Sequence, residues 1–502
     1  MAAVRRALAA GLICFGLVAG GARGAILRGT NRADLILATP QSDSINGRGG
    51  DDRIGTAWDW QPDNVRCGSG RDLVNADPKD VVAADCEVVS VQLSRDTTLD
   101  WRAEHETEVE PSSYAWGSRI VAAFQVGRYS DGGAAAIGWA TSTDGGVRWR
   151  NGLVGTAPYD RVSDSVVAYD AVHKWWLIAA LGAAPRTLDV AISRSRDGLT
   201  WSPWQVAASE PAEDYDKEWL ACDNWATSPF RGRCYLAYVD TTTFQLGLRW
   251  SGDGGLTWSR VTEVPTGEKT EFTGPLPLVR PNGAVVVPFT SFGPLSGVDE
   301  VKDVRSTDGG VTWGSSYRIS TLSDEEPMDI RAPPLPSAGV DAGGRAYVVW
   351  QDARYRDTSG ANDIVLTSSP DGMTWSALTR LPLPVTNGAD YFLPAIAGDP
   401  GARGHIAVLY HSVALPPSCA LFVPGCEERI DVWLVESRDG GLTWSASKRL
   451  NVESMPVPWL APTSLGAMLG DYVSVSFVRG RAVPVFALAS QYTGEAIFAE
   501  TR

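Results

Sequence analysis

The residues of this chain able to do chemistry are acids, arginines and tyrosines gathered in polar connections between apolar, alternating runs. One connection holds Asp160, Arg161 and Asp164, and the next Asp214, Asp216, Lys217 and Glu218. Glu268 and Glu271 follow, then Asp324, Glu325, Glu326, Asp329 and Arg331, then Asp390 and Tyr391, then Asp471 and Tyr472. A further set holds Arg128, Tyr129 and Asp131, and then Asp352, Arg354, Tyr355 and Arg356. Two carboxyl groups placed across one bond can serve it as acid and base. A planar guanidinium can grip a carboxylate through two parallel hydrogen bonds. Acids outnumber arginines in these connections. The histidines, at 105, 173, 405 and 411, have no neighbours suited to a Ser/His/Asp relay or a metal trio.

Bulk properties narrow the classes. A formal charge of −15 and a pI near 4.8 argue against a nucleic-acid partner and against a polybasic membrane contact. Arg5 and Arg6, the apolar stretch 7–19 and the small-x-small site Ala22-Arg23-Gly24 predict a secretory signal over residues 1–25, and hence a secreted, extracellular protein. Nothing later is long and apolar enough to span a bilayer. Setting Cys14 aside leaves six cysteines, which allow fifteen connectivities. Proximity favours Cys67 with Cys86, Cys222 with Cys234 and Cys419 with Cys426, and an oxidising compartment would let them form.

The elements that must position the polar connections repeat. Ser142 to Trp149 reads STDGGVRW, and the pattern returns in full at Ser251–Trp258, Ser306–Trp313 and Ser437–Trp444. It returns one residue shorter at Ser195–Trp201 and Ser369–Trp375. A period of roughly 50–70 residues means stacked or radial supersecondary units. Locally, the Asp carboxylate can accept backbone N–H bonds and close a turn, while the Trp covers the hairpin it follows. The pattern resembles the Asp-box, or BNR repeat, of sialidases, over roughly residues 98–502. That resemblance implies an all-β fold, a β-propeller with each box between the third and fourth strands of a blade. Counting strand sets gives seven blades in preference to six, with Glu87–Ser94 expected to supply the strand that closes the ring. The domain expectation is a propeller over 88–502.

The resemblance also implies a site. A sialidase binds the sugar carboxylate with three arginines and uses a Tyr nucleophile paired with a Glu, with an Asp as acid/base. On this chain those roles fall to Arg331, Arg354 and either Arg128 or Arg161 as the arginines, Asp216 or Glu218 as the acid and Tyr472 or Tyr391 as the nucleophile, and the partner would be an extracellular glycan or glycoprotein. The sialidase first-blade arginine motif has no counterpart, because Glu108 to Ser113 reads EVEPSS. The alternative is a non-catalytic propeller that binds glycan or protein.

Residues 26–87 have another grammar. Asp34, Asp43 and Asp52 stand nine residues apart, each followed at the same offset by Ile36, Ile45 and Ile54. With Gly47-Arg48-Gly49-Gly50-Asp51-Asp52 this resembles the nonapeptide repeat of RTX proteins. The resemblance implies a β-roll-like coil holding Ca²⁺ through Asp34, Asp43, Gly49, Asp51 and Asp52, or else a metal-poor cap stapled by Cys67–Cys86.

Overall fold

The computed structural model describes residues 24–185, 187–209, 214–264, 272–293, 298–327, 329–356, 360–384, 388–416, 419, 426–490 and 494–502. Most of the expected signal segment, as well as Glu268 and Glu271, lies outside these residues. Apart from one short 3-10 turn at Val457–Trp459, the regular elements among the described residues are strands. The chain divides into two compact units. One comprises residues up to Gln92 with Leu450–Glu453 and Glu500–Arg502; the other comprises Leu93–Arg449 and Ser454–Ala499.

The first unit is a β-solenoid of about four turns. Ile26–Arg28, Ser44–Asn46, Asn64–Arg66 and Val81–Val82 stack in parallel as one wall, and Leu35–Leu37, Arg53–Gly55, Leu73–Ala76 and Val88–Gln92 as the other. The nine-residue spacing explains the two walls. Ile36 pairs with Ile54 and Ile54 with Val74 on one, while Leu27 pairs with Ile45 and Ile45 with Val65 on the other. Ile45, Ile54, Val65, Val74 and Val89 bury a narrow core beside the Cys67–Cys86 disulfide. Each such side chain contributes about 1.5–3 kcal/mol.

Rows of acidic side chains accept backbone N–H groups at the turns. Asp34 donates its N–H to Asp52 Oδ1 (2.9 Å), Asp52 to Asp72 Oδ1 (2.8 Å) and Asp72 to Glu87 Oε2 (2.7 Å). A second row runs from Asp43 to Asp63 (2.5 Å) and from Asp63 to Asp80 (2.9 Å). The buried Asn75 amide is used at both ends, donating to the Leu450 carbonyl (2.9 Å) and accepting the Val452 N–H (2.7 Å).

The second unit is built of antiparallel meanders. The first two are Glu104–Trp116, Arg119–Arg128, Ala134–Ser142 and Trp149–Val154, then Arg161–Asp170, Trp175–Ala184, Thr187–Ser195 and Gln205–Ala208. Later meanders open on Tyr215–Cys222, Ser337–Val340, Asp390–Gly398 and Ser474–Val478. Each repeat pattern closes the turn into a meander's last strand. In the one ending at Trp444, Ser437 Oγ donates to Asp439 Oδ1 (2.8 Å), which also accepts the Leu442 and Thr443 N–H groups (3.0 and 2.9 Å). The Thr443 hydroxyl and amide hold the Asp439 carboxyl down at about 2. Gly440 and Gly441 take φ of 80° and 92°, where a Cβ would be strained.

The all-β class is as expected, but the propeller is corrected. Residues 26–87, expected as a β-roll-like coil, lie in the solenoid of about four turns that defines the fold, and Val88–Gln92 forms its last parallel rung on Leu73–Ala76. A propeller also keeps its sheets separate. Here Ala134 pairs with Val162 and Thr107 pairs in parallel with Glu495, so strands assigned to different blades run on as one hydrogen-bonded sheet. The pairs Cys67–Cys86, Cys222–Cys234 and Cys419–Cys426 are disulfides. No helix among the described residues is long and apolar enough to cross a membrane.

Candidate functional site

The site begins as backbone irregularity. In four meanders the first strand carries two residues opposite one of the second strand: Glu110-Pro111 against Phe124, Asp164-Ser165 against Ala180, Lys217-Glu218 against Tyr238, and Leu393-Pro394 against Tyr410. The leading residue of each bulge is left-handed, with φ of 56° at Glu110, 50° at Asp164, 51° at Lys217 and 51° at Leu393. Such conformations cost on the order of 1–3 kcal/mol each and persist where surrounding structure enforces them. A bulge re-aims side chains out of strict alternation. Three of these four bulges lead with a charged residue.

Those charges converge. Lys217 Nζ lies 3.9 Å from Asp164 Oδ1 and 3.3 Å from the centroid of the Tyr472 ring. Gln125 donates to Glu110 and to Ser163 Oγ (3.2 Å), and the Ser163 hydroxyl donates to Asp164 Oδ2 (3.1 Å). Glu110 Oε1 also accepts the Asp471 N–H (3.2 Å). Asp471 accepts from the Arg331 guanidinium, and the Arg331 N–H is fixed on the Ala467 carbonyl (2.8 Å) of the hairpin Ala461–Thr463 and Gly466–Met468. Tyr472 packs edge-on to Trp219 at 5.4 Å, with its hydroxyl on the Ser165 carbonyl (3.4 Å).

Two layers result. Glu110, Glu218 and Tyr472 are buried, and neither Glu218 oxygen has a hydrogen-bond partner. Asp164, Asp216 and Arg331 reach solvent to differing extents, whereas Asp471 is buried. Burial pushes the Glu218 carboxyl well above the usual range, with the Asp164 charge adding to the push and Lys217 opposing it. Burial, then Asp164 and Asp471, also raise Glu110. The surrounding protein and then Asp164 push Asp216 up to about 6, although it is open to solvent at the rim, where water weakens that push. Burial raises Asp471 against the pull of Arg331. The Tyr472 hydroxyl is raised by burial and by the acids Glu110, Asp164, Glu218 and Asp471, so it stands as a neutral phenol.

Beneath this mouth a cavity of about 430 Å³ runs between the first strands of the meanders. Its walls include Lys217, Asp471 and Tyr472 with Tyr114, Trp219 and Trp225.

Of the residues expected from sequence, Asp216, Glu218, Arg331 and Tyr472 are brought together. Arg354 is not: Nε lies 2.7 Å from Asp352 Oδ1, Nη2 lies 2.8 Å from Oδ2, and the same guanidinium reaches the Thr321 carbonyl. Asp390 and Tyr391 are also spent elsewhere, Asp390 on the Asn362 N–H (2.7 Å) and Tyr391 on the Pro384 carbonyl. His411 is buried beside Phe392 and held down at about 4 by desolvation. Glu110 was not among the expected site residues. Its signal is an acid before proline inside an alternating run, since proline in a strand marks an edge or a bulge.

The residues proposed to hold calcium have other duties. Asp34, Asp43 and Asp52 accept backbone N–H groups of their own turn or the neighbouring one, and Asp51 Oδ1 accepts the Arg71 N–H (2.9 Å). Gly49 lies in a parallel bridge with Ser69. One oxygen each of Asp52, Asp63 and Asp72 stays buried without a partner, yet no group of three acids able to hold a metal occurs among the described residues.

Residues 177–468 match the BNR repeat-like domain family. The chain belongs to that family. Comparison with curated proteins gives no match. Similar solved structures include a protein of unknown function from Dyadobacter fermentans, 18% identical over 69% of this chain and 96% of that one, TM-score 0.45. A Hadza microbial sialidase is 16% identical over 77% of this chain and 73% of that one, TM-score 0.43. The α-L-arabinofuranosidase of Fusarium graminearum is 13% identical over 68% of this chain and 92% of that one, TM-score 0.42.

Proposed function

We propose that this member of the BNR repeat-like family is an exported, sialidase-like glycoside hydrolase that cleaves extracellular glycan by carboxyl chemistry at the charged mouth. The observation that carries the reading is the convergence of Glu110, Asp164 and Lys217, each on a strained bulge, with Asp216, Glu218, Arg331, Asp471 and Tyr472. Membership of the family is compatible with the reading without choosing a reaction.

In this reading Asp216, raised and solvent-open, gives its proton to the leaving oxygen as the glycosidic C–O bond breaks. Asp471, aligned by Arg331 and by the hydrogen bond of its own N–H to Glu110, takes the proton of the water that attacks the anomeric carbon. Lys217 balances the acids beside it, and neutral Tyr472 donates a hydrogen bond rather than attacking. Arg354 has no part, since Asp352 holds it. The test is release of fluorophore from a panel of aryl glycosides. Turnover by the wild type that Asp216→Asn and Asp471→Asn each reduce by roughly 10²-fold or more, with folds unchanged by circular dichroism, supports the reading. A folded wild type that turns over none of the panel yet binds glycan would make it a binding module.

A further inference from the structure

Trp101 is 87% exposed, more than any other tryptophan among the described residues, and Leu99 two positions before it is 95% exposed. Single apolar side chains on a surface are ordinary. These two belong to a turn that is bonded from within. Asp96 Oδ1 accepts the Thr98 N–H (2.7 Å) and hydroxyl (2.6 Å), and Asp96 Oδ2 accepts the Glu106 N–H (3.0 Å). Asp100, between the two apolar residues, accepts the Arg102 N–H (3.0 Å) and the hydroxyl of the buried Tyr129 (2.8 Å). The Ala103 N–H closes on the Asp100 carbonyl (3.0 Å). Burial would stabilise either apolar side chain, and the bonded turn holds both in water.

The turn is joined to the mouth through its neighbours. It feeds the strand Glu104–Trp116, in which Glu110 lies six residues from the start. At about 3.3 Å per residue that is roughly 20 Å. The Tyr129 ring centroid lies 4.4 Å from the Arg161 guanidinium, and Arg161 stands three residues before Asp164 in one strand. The next residue, Ser130, accepts the Ser464 N–H (3.2 Å) of the hairpin whose Ala467 carbonyl fixes the Arg331 N–H. Leu465, beside Ser464 at the tip of that hairpin, is also exposed. Leu99, Trp101 and Leu465 are thus linked through Tyr129 and Ser130, on a surface that leads to the mouth.

We infer that this turn is a second glycan-binding site, with Trp101 as its stacking platform, and that it holds a polymeric substrate outside the mouth. A flat indole can cover the C–H face of a sugar ring while the hydroxyls stay in water. Which end of the chain it holds rests on the hydrolase reading. There Asp216 gives its proton from the open rim, so the leaving part of the glycan points outward, toward the turn. On bonds of about 1.5 Å, one ring with its linking oxygen spans roughly 5 Å. A span of roughly 20 Å therefore takes about four rings, and aryl glycosides are too short to reach it.

The test is retardation of the intact protein in native gels that each hold one polysaccharide: arabinan, xylan, β-glucan or polysialic acid. At least one should retard the wild type, and Trp101→Ala should weaken that affinity about tenfold, equivalent to about 1.4 kcal/mol, with an unchanged melting temperature. The same variant should raise KM for the retarding polymer by a similar factor and leave kcat/KM on aryl glycosides within about twofold. Equal retardation of variant and wild type overturns the inference, as does a wild type that none of the gels retards. Binding to phosphatidylcholine vesicles that Trp101→Ala abolishes, without retardation by any polysaccharide, also overturns it and makes the turn a membrane contact. Loss of retardation in Trp101→Ala by a protein that turns over no glycoside supports the binding site while the hydrolase reading falls.

Discussion

The solenoid and the mouth both concentrate carboxylates, and they use them in opposite ways. In the solenoid, Asp52, Asp72, Asp63 and Asp80 each cap a backbone N–H one coil away, so these acids are structural acceptors that happen to be carboxylates. At the mouth the acids face one another, a lysine and an arginine, on backbone that is strained to hold them there. A buried carboxylate is therefore not a functional one by virtue of its burial or its raised pKa. What separates the regions is that the mouth acids also face a lysine and an arginine from strained backbone.

An Asp-to-Asn exchange should break the two regions unequally. Asn keeps an acceptor oxygen but has no proton to give at neutral pH. Asp216→Asn should lower kcat/KM on aryl glycosides by roughly 10³-fold while leaving the melting temperature within error. The next effect is on stability. Arg331→Ala strips the buried Asp471 of its counter-ion and should cost about 3 kcal/mol by urea unfolding, since breaking one side of a buried pair leaves the other charge unpaired.

In the solenoid the same comparison reverses. Asp52→Ala leaves the Asp34 N–H without an acceptor and should cost about 1–2 kcal/mol, whereas Asp52→Asn should be close to neutral. Equal losses from both substitutions would mean that Asp52 acts through its charge, as a metal ligand would.

The smallest effect is a slope with pH. Burial raises Asp52 to about 6 and Asp63 to about 7 in the folded solenoid. A folded-state pKa above the unfolded value gives stability that is complete below the ordinary aspartate range and is lost as pH rises through 6–7. Stability should therefore fall between pH 5 and pH 8. The double variant Asp52→Asn/Asp63→Asn should flatten the fall, and adding Ca²⁺ or a chelator should leave the melting curve in place.

How much of this was readable beforehand depended on distance along the chain. The turn patterns were legible because Ser437, Asp439, Gly441 and Thr443 satisfy one another within a single turn. The nine-residue spacing in the solenoid was legible because each coil repeats it, stacking Ile36 on Ile54 and Leu27 on Ile45. Asp216, Glu218, Arg331 and Tyr472 could be gathered from their positions in connections, but Arg354 could not be excluded, since nothing in sequence says that Asp352 captures its guanidinium. Glu110 stayed hidden because its role depends on a bulge, and two residues opposing one is a property of the pair of strands.

The most direct test of the central claim is the pH dependence of kcat/KM for the best aryl glycoside of the panel, measured for the wild type and for Asp216→Asn. Activity that falls as pH rises above about 6, with that limb absent from a residual rate at least about 10²-fold lower in Asp216→Asn, is the predicted result. A variant with the wild-type rate and the wild-type alkaline limb would contradict the account.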